Sequence, residues 1–167
     1  MAAIRRLTKD DLSQLRQFWI DFWGGEQMFM HGQIVRYDQA VSPRRACGPN
    51  GVEGFIYGDW TGLLTYILRG DECEITSLNS LQEGRGIGAA LIDQAIHAAK
   101  EQKCRRVCLI TTNDNLRALG FYQKRGFELV AVHRGAVNES RKLKPSIPWI
   151  GENNIPLRDE IELEMLL

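Results

Sequence analysis

The 167-residue sequence predicts a single α/β domain of the α+β type, spanning residues 1–167, in which helices flank a mixed, mostly antiparallel sheet. Three observations carry this. Between Val52 and Leu78, three apolar-rich runs are separated by the short turns at Gly58-Asp59 and Arg69-Gly70-Asp71, the pattern of an antiparallel meander. A glycine-rich stretch, Glu83-Gly84-Arg85-Gly86-Ile87-Gly88, then opens directly into a segment of helical period. Beyond it, Val107-Cys108-Leu109-Ile110 is a continuous apolar run, as expected of a central strand covered on both faces.

In chain order, Ala2 to Leu7 is a short strand candidate, and Thr8 followed by Asp11 resembles a capping box. Leu12, Leu15, Trp19 and Phe22 recur at helical spacing, so Thr8 to Trp23 is expected to be an amphipathic helix with its aromatics in the core. Gly24 to Gly51 is irregular, and its length suits either a functional lid or a solvated connection. The meander follows as Val52 to Tyr57, Leu63 to Leu68 and Glu72 to Leu78; Glu72 and Glu74 share one face of the third strand. Ala89 to Gln102 is helical, with Leu91, Ile92, Ala95, Ile96 and Ala99 inward and His97 on the solvated side. Asn113 or Asp114 caps a helix running to about Lys124, and Phe127 to His133 is a further strand. A helix over Ala136 to Leu143 and a long connection lead to a last strand. There Ile161, Leu163 and Met165 alternate with Glu160, Glu162 and Glu164, an acidic face expected to be wet.

Composition narrows the function. Hydrophobic residues at 44% and charged residues at 25% describe a globular chain, and the balance of 21 basic against 21 acidic residues lacks the excess that nucleic-acid binding needs. No stretch is apolar enough to span a membrane and Met1 to Leu12 has no signal-peptide core, so a cytoplasmic location is expected. Cys47, Cys73, Cys104 and Cys108 form no C-x-x-C pair; they read as reduced thiols, with no metal site.

A strand, a glycine-rich turn and a helix start make an anion site. The first helical N–H groups lack internal partners, the helix dipole is positive there, and glycine lets a phosphate approach the backbone. Arg85 adds a full charge. A dinucleotide fold would want an acidic residue closing the next strand, but that strand ends in Ile110-Thr111-Thr112 after an antiparallel meander. No Gly-Lys-Ser/Thr follows, which removes a Walker A loop.

Together with a second motif, this stretch resembles the GNAT superfamily of N-acetyltransferases. The acyl-CoA loop of that family, Gln/Arg-x-x-Gly-x-Gly/Ala, is matched by Gly86 and Gly88, with Glu83 departing at the first position. Downstream, Asn115, Ala118, Tyr122, Gly126 and Phe127 match the signature Asn-x-x-Ala-x-x-x-Tyr-x-x-x-Gly-Phe. The resemblance implies acetyl-CoA as cosubstrate, no metal, and transfer to an amine. It implies a pantetheine arm along Leu78, Asn79 and Ser80, and a pyrophosphate over the loop Glu83, Gly84, Arg85, Gly86, Ile87, Gly88 and Ala89, with Asn115 contacting the arm. Aligned by apolar pattern, Glu74 falls where several family members carry a catalytic glutamate; Glu72 is the runner-up, and a base acting through water is a third route. Leu78 or Asn79 would supply a backbone oxyanion donor, and Tyr122 would hydrogen-bond the departing sulfur. With no nucleophilic triad in the sequence, direct transfer is expected. Gly24 to Gly51 and Gly135 to Arg158, with Arg44, Arg45 and Trp149, are the acceptor-side candidates. A CoA-binding or partner-binding module without catalysis is the alternative, and an edge strand at the C-terminus would support a homodimer.

Overall fold

The computed structural model describes residues 3–30, 33–36 and 52–167. The elements are β1 (Ile4–Arg6), α1 (Leu12–Trp23), β2 (Gln27–Met30), β3 (Gln33–Arg36), β4 (Val52–Tyr57), β5 (Gly62–Arg69), β6 (Glu72–Ser80) and α2 (Ile87–Glu101). They continue as β7 (Arg106–Thr112), α3 (Leu116–Gln123), β8 (Glu128–His133), α4 (Ala136–Leu143) and β9 (Glu160–Leu166). Seven strands form one sheet in the order β1-β4-β5-β6-β7-β9-β8, and β2 pairs with β3. This is the mixed, mostly antiparallel α/β architecture that the sequence predicts. The chain resolves into two compact units: Met1–Met28 with Ile34–Val107 and Leu167, and Phe29–Gln33 with Cys108–Leu166.

In the first unit the meander pairs as its turns require, Val52 with Ile67 and Gly62 with Ser80, both antiparallel. Nearly every residue of β5 is buried, Thr65 included. Leu15, Phe18 and Trp19 of α1 pack in a core with Ile56, Trp60, Leu63 and Ile67. The Thr8–Asp11 capping box forms, as a 3-10 turn ahead of α1, and the Arg5 guanidinium grips both Asp11 oxygens at 2.7 Å. One expectation fails here. Phe22 and Trp23 are exposed, because the last turn of α1 runs past the core it covers and ends at left-handed Gly24. Gly62 shows how tightly α2 lies on this unit: a Cβ there would sit 2.4 Å from Ile87 Cγ2.

In the second unit β8 and β9 pair antiparallel, Leu129 opposite Leu163, and α4 occupies the span the sequence assigns to it. The glutamate face of β9 is not wet: Glu160 is buried and Glu162 Oε2 lies 3.0 Å from His133 Nε2. β9 sits between β7 and β8, so the free edge on that side is β8 and not the C-terminal strand. The connection after α4 is built around buried Arg141, which donates to the carbonyls of Ile147, Pro148 and Leu157 and stacks at 4.1 Å on the Trp149 ring. Of Gly24 to Gly51, only β2, β3 and their lead-in are described; Arg44, Arg45 and Cys47 lie outside the described residues. Cys73, Cys104 and Cys108 are buried thiols.

Candidate active site

The site candidate grows out of β6. Thr65 lies opposite Ser77 and Tyr66 opposite Ile75, so Thr76 has no opposite residue: β6 carries a bulge. The extra residue turns two hydroxyls to one place, Thr76 Oγ1 at 2.7 Å and Ser77 Oγ at 2.6 Å from Thr65 Oγ1, all buried. Periodicity alone gives no sign of this bulge, since Thr and Ser suit a strand with or without it. Past it, Leu78, Asn79 and Ser80 are half-buried as the strand emerges. Asn79 Oδ1 accepts from Trp23 Nε1 at 3.0 Å, and Ser80 Oγ donates to the Gln82 carbonyl at 3.1 Å.

The loop that follows is exposed from Leu81 to Gly86, including Glu83 and Arg85. Gly84 and Gly86 take left-handed φ angles of 71° and 74°, which β-carbons disfavour, and a Cβ at either would meet nothing within 4 Å. Gly86 is the N-cap of α2 and, as glycine, brings no side chain of its own to cap the helix. The first intrahelical bond runs from Ala90 N to Gly86 O at 3.0 Å, so the N–H groups of Ile87, Gly88 and Ala89 precede the ladder. Buried Ile87 anchors the turn. The outcome is a set of uncapped donors at the positive end of a 15-residue helix, beside glycines that leave the approach clear. These residues fit a pyrophosphate.

The two carboxylate candidates lie upstream on β6, and each is engaged. Glu74 is buried with Oε2 3.3 Å from Arg69 Nε. Glu72 accepts from Arg106 Nε at 2.9 Å and from Arg105, and the Arg106 hydrogen bond holds its carboxyl below the usual range. His97 is exposed, 3.4 Å from Glu101, as its place on the helix predicts.

The remaining candidates stand on α3 of the second unit. Asn115 is the N-cap, its Oδ1 accepting from Ala118 N at 3.0 Å. This corrects the expectation that Asn113 or Asp114 would cap. Those side chains are drawn to the segment ahead of β9: Asn113 Oδ1 accepts from the N–H groups of Arg158 and Asp159, and Asp114 Oδ2 from Glu152 N at 2.7 Å. Tyr122 is buried with its ring edge-on to Phe121 and Phe127 at 5.3 and 5.5 Å, and burial pushes its phenol far above its ordinary value. It therefore keeps its proton at neutral pH. Trp149 is 70% exposed on its Arg141 support. Among the described residues no group of three or more His, Cys, Asp or Glu is placed to hold a metal, and no helix is long and apolar enough to cross a membrane.

Residues 50–127 match the profile of the Acetyltransferase (GNAT) family. The chain is 42% identical over 151 residues to the uncharacterized protein YdhI of Bacillus subtilis, covering 88% of this chain and 87% of that one. Among solved structures it resembles an IAA acetyltransferase from Bacillus cereus, with TM-score 0.69 and 20% identity over the full length of both chains. It also resembles a Bacillus subtilis acetyltransferase in complex with CoA, with TM-score 0.65 and 21% identity, covering 100% of this chain and 99% of that one.

Proposed function

The chain belongs to the Acetyltransferase (GNAT) family, and we propose that it moves an acetyl group from acetyl-CoA to an amine by direct transfer. The observation that carries this reading is the uncapped start of α2 beside left-handed Gly84 and Gly86, whose outward side is open. A pyrophosphate needs several N–H donors, a positive local field and no intervening Cβ, and this turn supplies all three. Arg85 adds charge, and the half-buried end of β6 at Leu78, Asn79 and Ser80 offers strand edge to an amide-bearing pantetheine arm. In the second unit, Asn115 is assigned a contact to that arm by its place in the family signature.

When bound, acetyl-CoA supplies an acyl group activated as a thioester. The chain's residues then have three tasks: to take a proton from the amine, to hold the carbonyl oxygen as it gains charge, and to ease departure of the sulfur. An amine of pKa about 10 is mostly protonated at neutral pH, so a base raises the reactive fraction. Glu74 is assigned that proton, directly or through water, with Glu72 second. The backbone N–H of Leu78 or Asn79 donates to the carbonyl oxygen. Tyr122, held neutral by burial, donates a hydrogen bond to the sulfur. Free-thiol release from acetyl-CoA across a panel of amines tests the assignment, with Tyr122→Phe as the probe. The variant keeps the ring, so kcat falls while acetyl-CoA affinity holds; unchanged kcat with weakened binding would make Tyr122 a packing residue only.

The ion pairs of Glu72 and Glu74 favour one second reading, a CoA-binding module without turnover. CoA binding with no thiol release on any amine would select it.

A further inference from the structure

Thr65 is fully buried in β5, where Leu63, Leu64, Ile67 and Leu68 around it are buried hydrocarbon. Valine has the same shape and suits a strand equally well, and it carries no hydroxyl to desolvate. A hydroxyl kept at this position therefore needs a task. Thr65 Oγ1 lies 2.7 Å from Thr76 Oγ1 and 2.6 Å from Ser77 Oγ, both also buried. Thr76 and Ser77 are consecutive, and on a regular strand consecutive side chains leave opposite faces. Both reach Thr65 because Thr76 is the extra residue of the bulge, with Ser77 opposite Thr65 and Ile75 opposite Tyr66. A hydroxyl donates once and accepts twice, so Thr65 serves both partners at once. If β6 slipped into regular register, one of the two would turn to the other face and lose this buried partner, which is costly. Thr65 is thus the clamp on the bulge.

Downstream, the bulge changes what β6 presents. Glu74 lies opposite Ile67 and Asn79 opposite Leu63, and Ile67, Thr65 and Leu63 share one face of β5. Glu74, Ser77 and Asn79 therefore share a face too. On a regular strand the odd spacing of Glu74 and Asn79 would put them on opposite faces. The backbone changes in the same way. In an antiparallel pair, successive residues alternate between turning N–H and C=O to the partner strand and turning them away. One added residue exchanges the roles of Leu78 and Asn79, so the bulge decides which of their N–H groups points away from β5. All of these residues belong to the first unit.

We propose that Thr65 is a positioning residue for acyl transfer: its hydroxyl holds the bulge that aims the backbone donor of Leu78 or Asn79 at the thioester carbonyl and brings Asn79 to the face of Glu74. This rests on the acetyltransferase reading and deepens it, by naming a residue that acts only through others.

The test reads the carbonyl itself. The full chain is loaded with acetyl-CoA isotopically labelled at the thioester carbonyl carbon, whose NMR signal moves downfield when its oxygen accepts a hydrogen bond. Wild type is expected to move the bound carbonyl downfield of the free value. Thr65→Val should bind acetyl-CoA within about twofold of wild type, because the glycine loop is untouched, while its carbonyl returns most of the way to the free value. On the amine of the panel that releases most thiol, its kcat should fall about tenfold or more at unchanged KM for acetyl-CoA, part of the roughly 10²–10³ that loss of an oxyanion donor costs. Thr65→Ser keeps the hydroxyl and should keep both the shift and the rate. A wild-type carbonyl shift or an unchanged kcat in folded Thr65→Val overturns the proposal. So does a Thr65→Ser as impaired as Thr65→Val, which would mark side-chain volume and not the hydroxyl. If Thr65→Val fails to fold, Ser77→Ala and Thr76→Val each remove one bond to the clamp; a partial loss of the shift in each supports the proposal, and a wild-type shift in both overturns it. Failure of the wild type to bind acetyl-CoA removes the transferase reading and this inference with it. Acetyl-CoA bound with its carbonyl at the free value removes this inference alone.

Discussion

Asp11 illustrates how much one carboxylate does for the start of the chain. It accepts from both Arg5 nitrogens and from the N–H and hydroxyl of Thr8, and the Arg5 hydrogen bond lowers its pKa to about 2. Because the folded value lies below the unfolded value of about 3.9, the stabilisation is complete above that pH and disappears as pH falls towards about 2. Asp11→Asn should therefore cost about 1–2 kcal/mol at neutral pH, allowing for the half-exposed Arg5, and the gap from wild type should close on acidification; urea unfolding at several pH values measures it. Glu74 makes a different prediction. Glu74→Gln keeps shape but accepts no proton, so kcat/KM should drop on the order of 10²-fold at neutral pH and recover at high pH, where free amine forms unaided. A loss constant with pH would leave Glu74 as a partner of Arg69 with a purely structural role.

At the level of elements, the β6–α2 turn does two separable jobs. Ile87 ties it down, while Gly84 and Gly86 shape its outer rim. Gly86→Val places a branched residue at a φ of 74° and a methyl-bearing carbon over the helix N-terminus, yet nothing of the protein lies within 4 Å of the new Cβ. CoA affinity should fall about tenfold or more, by calorimetry, while the circular dichroism spectrum persists. Gly62→Val acts from beneath. Its Cβ would press on Ile87 and Leu91, so the helix must shift, with a loss of about 1–3 kcal/mol seen as a lower Tm. The contrast separates a glycine kept for its ligand from a glycine kept for packing.

For the whole molecule, ligand linkage is the test that bears on the family assignment. At about 100 times Kd, a ligand that binds only the folded chain stabilises by about 2.7 kcal/mol, or about 5–10 °C in Tm for a chain of this size. CoA should give such a shift and NAD none; the reverse would return the glycine loop to a dinucleotide fold.

Much of this was legible in the chain because local rules govern it. The meander's turns, the inward stripe of α2, the apolar run of β7 and the span of α4 follow from periods and turn residues that act over a few positions. The glycine loop and the Asn115-to-Phe127 signature likewise carry, by their spacing, the resemblance to the family whose profile the chain matches. What tertiary structure decided depends on which partner is close. The bulge at Thr76 exists because β5 and β6 pair out of step, and no single-strand period records a register. Asn115 caps α3 because the segment before β9 occupies Asn113 and Asp114. Glu160 is buried and Glu162 meets His133 of the neighbouring strand, contacts that no alternation within β9 records, while Phe22 and Trp23 at the end of α1 stay exposed. Local periods decide which faces of an element are apolar; only packing decides which of those faces finds a neighbour, and the end of α1 shows the difference.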